Sequence, residues 1–177
     1  DCNWCDRTAN SAALPPTKVP LATDLATAQT KDPLIGTTLP GANAPVTVTA
    51  ESNIGGRTLV DTNQTARPVM QANPSQPTLI SDLVRPGAPN SNMANAHAEV
   101  GLIQQAYNAG LTQGQSMTIV VRGQEVCSFC GSNLPVMADR AGLNSLTVID
   151  GASGQIYQWN AGSKGWSSVT QGPKPKP

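Results

Sequence analysis

Two short motifs in this chain carry side chains that can do chemistry: His97-Ala98-Glu99 and Cys127-Ser128-Phe129-Cys130. His97 is the only histidine among the 177 residues. One imidazole nitrogen and two thiolates make three ligands for Zn²⁺. The fourth tetrahedral position then stays open for water, which separates a catalytic site from a structural one. A C-x-x-C at a helix N-terminus brings both sulfurs to one side of the first turn, where free N–H groups and the helix dipole favour thiolate over thiol. Glu99, two residues from His97, falls beside such a metal without ligating it. Zinc lowers the pKa of a coordinated water toward about 7, and a neighbouring carboxylate can take that proton.

These motifs need elements to hold them. From Ala94 to Ala109 the apolar positions Val100, Ile103, Ala106 and Tyr107 recur at helical spacing, with Asn92 or Asn95 as N-cap and Gly110 as a stop. Met117–Val121 is a buried-strand candidate bounded by Gly123, and Cys127–Ala141 reads as a second helix stopped by Gly142. Pro135 restricts the hydrogen bonding of that second helix. Upstream, Val46-Thr47-Val48-Thr49 alternates and is β-branched, Ile54-Gly55-Gly56-Arg57 supplies a turn, and Thr58-Leu59-Val60 completes a hairpin. The stretch 77–83 is a short apolar piece of open type. Leu146–Ile149 and Gln155–Trp159 flank a turn at Asp150–Gly154 and are expected to pair antiparallel. The order β-β-α-β-α-β-β implies an α/β fold, a mixed sheet of about five strands with helices packed on it.

Residues 11–45 are rich in Ala, Thr and Pro and lack aromatics. Proline removes a backbone donor and restricts its predecessor, so helices and central strands are not expected there. The sequence divides into a linker or overlying arm at 1–45, a domain at 46–170 and a solvated tail at 171–177. Eleven basic and eleven acidic side chains cancel. Residues 1–55 carry a net of −2 and residues 56–177 a net of +2, so any polynucleotide-binding groove must be local. No run approaches the roughly 18–20 apolar residues of a membrane helix, and no leader-like segment appears. Because the chain starts at Asp1, it reads as a piece of a longer polypeptide.

His-x-Glu followed by Cys-x-x-Cys, on successive helices separated by one strand, resembles the cytidine-deaminase superfamily. The run Asn92–Ala106, with Val126–Cys130 and Leu146–Val148, is similar to deaminase domains at the C-termini of bacterial polymorphic toxins, in particular the branch acting on single-stranded DNA. The resemblance covers roughly residues 56–160. It implies His97, Cys127 and Cys130 as zinc ligands and Glu99 as the proton shuttle to the ring nitrogen and to departing ammonia. It also implies Asn63, Ala98 and Val126 as substrate contacts, with the backbone around Glu125-Val126 lining a base pocket. Hydrolysis at C4 of cytosine in single-stranded DNA would give uracil. The context implied is a monomeric domain of a secreted effector, acting in the target-cell cytoplasm and neutralised by an immunity protein. One departure is Val126, where many superfamily members carry proline.

Other readings stay open on the residues alone. The same chemistry could act on RNA or a free nucleoside, although enzymes for free cytidine generally have cysteine where His97 stands. Cys2-Asn3-Trp4-Cys5 could join Cys127 and Cys130 in a closed Cys₄ knot, making a zinc-stabilised binding module, or could be a boundary remnant. Trp159 and Trp166 could stack on a flipped base or pack in the core. Arg57, Arg67, Arg85 and Arg122 are the candidates for a basic groove.

Overall fold

Six strands form one mixed sheet in the order β2-β1-β3-β4-β5-β6: β1 (Thr49–Ile54), β2 (Arg57–Thr62), β3 (Ser116–Arg122), β4 (Ser145–Asp150), β5 (Gln155–Asn160) and β6 (Ser168–Gln171). Only β3 and β4 run parallel. Among the described residues three α-helices accompany the sheet: α1 (Leu21–Ala28), α2 (Ala98–Asn108) and α3 (Ser128–Arg140). This computed structural model describes residues 21–67, 78–83, 97–126 and 128–177, with the backbone alone at 21–24, 64 and 128–132. Cys2, Cys5, Pro77, Arg85, Asn92, Asn95 and Cys127 lie outside the described residues.

The α/β order expected from the sequence holds from β1 to β5, including the antiparallel β4–β5 pair. The hairpin turns on Gly55-Gly56, both at positive φ (64° and 69°), a conformation whose twist matches that of the flanking strands. Along β3, Met117, Ile119 and Val121 are buried on one face. They meet Leu146, Val148 and Trp159 of the sheet and Leu102, Ile103, Leu134 and Met137 of α2 and α3. Each such fully buried aliphatic side chain stabilises the fold by about 1.5–3 kcal/mol. Trp159 is completely buried in this core and donates its indole N–H to Ser163 O at 2.9 Å. It is a packing residue and has no face to offer a base.

Both site helices end as the sequence indicated. Gly110 (φ 73°) donates to Tyr107 O, and Leu111 N–H reaches back to Ala106 O at 2.9 Å. Gly142 (φ 78°) and Leu143 repeat the pattern on Asp139 O and Ala138 O. These paired bonds satisfy orphan carbonyls and need a left-handed residue that glycine supplies without strain. Among the described residues, no helix is long and apolar enough to cross a membrane.

Three local expectations are corrected. The first strand begins at Thr49 and not at Val46, because the backbone of the preceding residues bonds elsewhere. Val46 exchanges bonds with Gly36 and Thr37, and Asn63 Oδ1 accepts the N–H groups of Thr47 and Val48. The proline-rich arm contains a helix, α1, in the proline-free window between Pro20 and Pro33. Leu25 and Ala28 bury against Ile149 and Ile156 on the sheet face opposite α2 and α3. Finally, β6 pairs with β5, and the start of the expected free tail is tethered: Gly172 N–H bonds Gly154 O, and Pro173 O accepts from Gln29.

Candidate active site at the carboxyl edge of the sheet

The topology starts α2 and α3 at one edge of the sheet. β2 and β3 each pair antiparallel with β1, and β3 is parallel to β4, so β2, β3 and β4 point the same way. Their last residues are level: Thr62 and Arg122 both face Thr49, and Asp150 faces Val121. Each site helix starts at this edge and returns along the sheet. At the opposite edge the two helix ends meet, where Gly114 N–H bonds Gly142 O and Asn144 N–H bonds Gln115 O. His97 and the first turn of α3 therefore stand at the carboxyl ends of parallel strands, the usual location of ligand sites in open α/β sheets.

His97 is the N-cap of α2, with extended backbone (φ −77°, ψ 147°). Its carbonyl takes the first helical bond, from Gly101 N–H at 3.0 Å. Its side chain does not cap the helix, and the cap falls here instead of at the expected Asn92 or Asn95. Ala98 and Glu99 follow in the first turn and are both buried, Glu99 to 3% exposure. A carboxylate in the first turn is favoured by the helix dipole. Cys130 lies in the first turn of α3, with its backbone alone described. Among the described residues no three His, Cys, Asp or Glu side chains gather to hold a metal; the expected ligand set includes Cys127 and the Cys130 thiol, which are not among those described. The donor chemistry of one imidazole and the two thiols of a C-x-x-C sequence fits a zinc ion.

Two buried carboxylates that sequence reading did not single out anchor this edge. Asp61 and Asp150 are the last inward-facing residues of β2 and β4, continuing the apolar alternations Leu59, Asp61 and Leu146, Val148, Asp150. Asp61 forms a two-pronged ion pair with Arg67, Nε to Oδ1 at 3.0 Å and Nη2 to Oδ2 at 3.1 Å, and also accepts Thr62 N–H. Arg67 Nη2 also reaches His97 O at 3.4 Å, tying the pair to the start of α2. Burial pushes the Asp61 carboxyl up from 3.8 to about 6, while the Arg67 guanidinium and the Thr62 N–H pull it down. Gly101 is required here, because a Cβ at that position would fall on the Asp61 carboxylate. Asp150 is wholly buried and accepts Val126 N–H at 2.8 Å, directly ahead of Cys127. A polar residue at an inward position of an apolar alternation was the available signal for both carboxylates.

The remaining expected residues are distributed as follows. Asn63 sits after β2 at the same edge, its Oδ1 holding residues 47 and 48 and its Nδ2 donating to Thr65 at 2.8 Å. The Val126 side chain is buried in the core and its N–H is committed to Asp150. Of the four arginines expected to line a basic groove, Arg85 lies outside the described residues and two are held in internal pairs. Arg67 is buried with Asp61, and Arg122 pairs with Glu51 at 3.2 Å and donates to Thr27 O. Arg57 is exposed at the hairpin turn, the far end of β2. Trp166 packs against Tyr157, ring centres 5.2 Å apart, and against the core.

Residues 42–170 match the family described as "Putative cytidine deaminase, C-terminal domain", a span that includes the whole sheet except the last residue of β6 and both site helices. No curated protein and no solved structure matches the chain.

Proposed function

The chain belongs to the cytidine deaminase C-terminal-domain family, a family of hydrolytic deaminases, and we propose that it converts cytosine to uracil in single-stranded DNA with the help of zinc. The observation that supports this reading is that α2, which carries Glu99 in its first turn after the His97 N-cap, and α3, which carries Cys130 in its first turn, start at the same edge of the sheet. His97, Cys127 and Cys130 would hold the ion, which when bound supplies Lewis acidity. Glu99 is buried in the first turn of α2, where water is scarce and a carboxylate exchanges protons with a bound base instead of with solvent. It carries a proton to the ring nitrogen and then to departing ammonia. The fixed backbone at Ala98 and Glu125-Val126 shapes the wall against which the base sits, and Asn63 lies at the same edge.

An unpaired strand is favoured as substrate by the cost of opening a duplex. A stacked, paired cytosine must first be extruded at a cost of about a few kcal/mol, which calls for wedge residues and a basic clamp. Arg67 and Arg122 are committed to internal pairs and serve neither such a clamp nor a single-strand groove. Purified protein is expected to form uracil in cytosine-containing single-stranded DNA, with duplex DNA far poorer and RNA and free cytidine as comparison substrates. Equal or faster deamination of duplex DNA, at a salt concentration where both substrates bind, would overturn this preference. The similarity of 92–106 and 126–130 to toxin deaminases supports a role as the delivered domain of a secreted effector, active in a target-cell cytoplasm and checked by an immunity protein.

The metal has its own test. The protein is expected to contain about one zinc per chain, and Cys2→Ser combined with Cys5→Ser leaves it in place. Loss of zinc from that double variant, measured by elemental analysis, would establish the closed Cys₄ knot and a binding module in place of an enzyme.

A further inference from the structure

A nucleic-acid strand is held first through its phosphates, so the cations that folding leaves unpaired decide where it can lie. Among the described residues, Arg67, Arg122 and Arg140 are paired with Asp61, Glu51 and Asp82. Lys31, Arg57, Lys164, Lys174 and Lys176 have no acidic partner and are exposed. Arg57 opens β2 and Lys164 lies in the turn after β5, both at the edge away from the candidate site. The three others gather at the carboxyl edge. Lys31 adjoins Asp32, whose Oδ2 accepts the Thr49 hydroxyl at 2.8 Å, and Thr49 faces the ends of β2 and β3. Lys174 and Lys176 follow β6, whose last residue, Gln171, faces Gln155 at the start of β5. Resting on the reading of this chain as a deaminase of single-stranded DNA, we propose that Lys31, Lys174 and Lys176 bind the phosphodiester backbone of that strand as it crosses this edge.

The root of the lysine-bearing tail is fixed between the β4–β5 turn and α1. Gly172 N–H bonds Gly154 O at 2.8 Å, and Gln171 Nε2 donates to Ser153 O at 2.8 Å. Gln29 Nε2 donates to Pro173 O at 2.5 Å, which sets the residue before Lys174 against the stretch leading to Lys31. A Cβ at Gly172 would strike the Leu25 side chain, so the chain passes close over α1. All four residues of β6 are exposed, so the strand adds nothing to the core, and delivering this tail is the role left to it. Beyond the root, Pro173, Pro175 and Pro177 alternate with the lysines. They fix φ and remove N–H donors, which keeps the segment extended and its ammonium groups in water. A segment already extended loses little freedom on binding. The exposed acid without a basic partner at this edge, among the described residues, is Glu125 in the crossing from β3 to α3, one negative charge against three positive.

Fluorescence anisotropy with a thymidine-only single strand reads backbone binding without turnover. The triple variant Lys31→Gln, Lys174→Gln, Lys176→Gln is expected to bind about 10–100-fold more weakly than the parent at about 0.1 M salt. Each lost phosphate contact on a single strand lowers the slope of log affinity against log salt by about 0.7, so three lower it by about 2. On a cytosine-containing strand KM should rise while kcat stays within twofold. The double variant Arg57→Gln, Lys164→Gln removes the unpaired cations of the opposite edge and should stay within twofold of the parent in every measurement. If the triple variant binds within twofold with an unchanged salt slope, while the parent deaminates the single strand, the lysine contact is overturned and the substrate reading stands. Equal losses in the triple and double variants would also overturn it, because the attraction would then be general charge and not this edge. A parent that neither binds nor deaminates the single strand fails the substrate reading, and this inference with it.

Discussion

Replacement of Glu99 by alanine is expected to abolish turnover while zinc content and fold persist. Removal of a general acid–base group typically costs about 10²–10⁴ in rate. In the proposed reaction one carboxylate serves the attacking water, the ring nitrogen and the leaving ammonia in turn, so the loss should stand at the top of that range or beyond it. The location argues for the same outcome. Glu99 is buried in the first turn of α2, two residues past the His97 N-cap, so no bulk water stands ready to replace it as a proton carrier. Glu99→Gln retains the volume and removes the exchangeable charge, and should be as inactive as the alanine variant. Uracil formation on single-stranded DNA, measured beside elemental zinc, tests this. Turnover within tenfold of the parent in both variants would show that the proton shuttle lies elsewhere.

The second large effect concerns the Asp61–Arg67 pair, which supports the start of α2. Removing one partner of a buried ion pair leaves the other charge uncompensated and typically costs about 3–5 kcal/mol. Arg67→Met keeps most of the side-chain volume and isolates the loss of charge. Its pH dependence follows from Asp61, whose folded value of about 6 lies above the ordinary 3.8 because of burial. A carboxyl that holds its proton more tightly when folded favours the folded state at low pH, and that contribution fades as pH rises from about 4 to about 6. Without Arg67 the carboxyl loses its main counter-charge and titrates higher still. Below about pH 6 both proteins hold Asp61 neutral, so the variant loses mainly hydrogen bonds. Above it the parent ionises against Arg67 and the variant cannot, so the difference widens. Urea unfolding of parent and variant at pH 5 and pH 8 should show the larger gap at pH 8. A gap of equal size at both values would mean that the guanidinium acts through its hydrogen bonds and packing and not through its charge.

Much of this protein was legible in its sequence because the signals are local. Glycine after an apolar helical repeat marks a left-handed stop, and Gly110 and Gly142 both end their helices in this way. The alternation of Met117, Ile119 and Val121 identifies a strand with one face in the core. His-x-Glu and Cys-x-x-Cys name a chemistry through residue type and spacing, before any fold is known. The family match over residues 42–170 agrees with that chemistry at the level of a deaminase.

What tertiary structure decided depends on partners distant in sequence. Thr49–Ile54 is a strand despite Glu51, Ser52 and Asn53, poor β-formers, because β2 and β3 hold it from both sides. Val46–Val48 looks more like a strand, yet its N–H groups go to Thr37 and to the side chain of Asn63. All four residues of β6 are exposed, so no alternation could announce it; it exists because the edge of β5 offers hydrogen bonds. Arg67 and Arg122 read as surface cations until folding surrounds them with Asp61, Glu51 and backbone carbonyls. Asp61, next to last in β2, and Asp150, last in β4, stand where ordinary turn-forming residues would. Only the level register of β2, β3 and β4 shows that each lies beneath the start of a site helix. A backbone N–H or a buried charge takes whichever partner the packed chain brings within reach, and that choice is made across the whole fold.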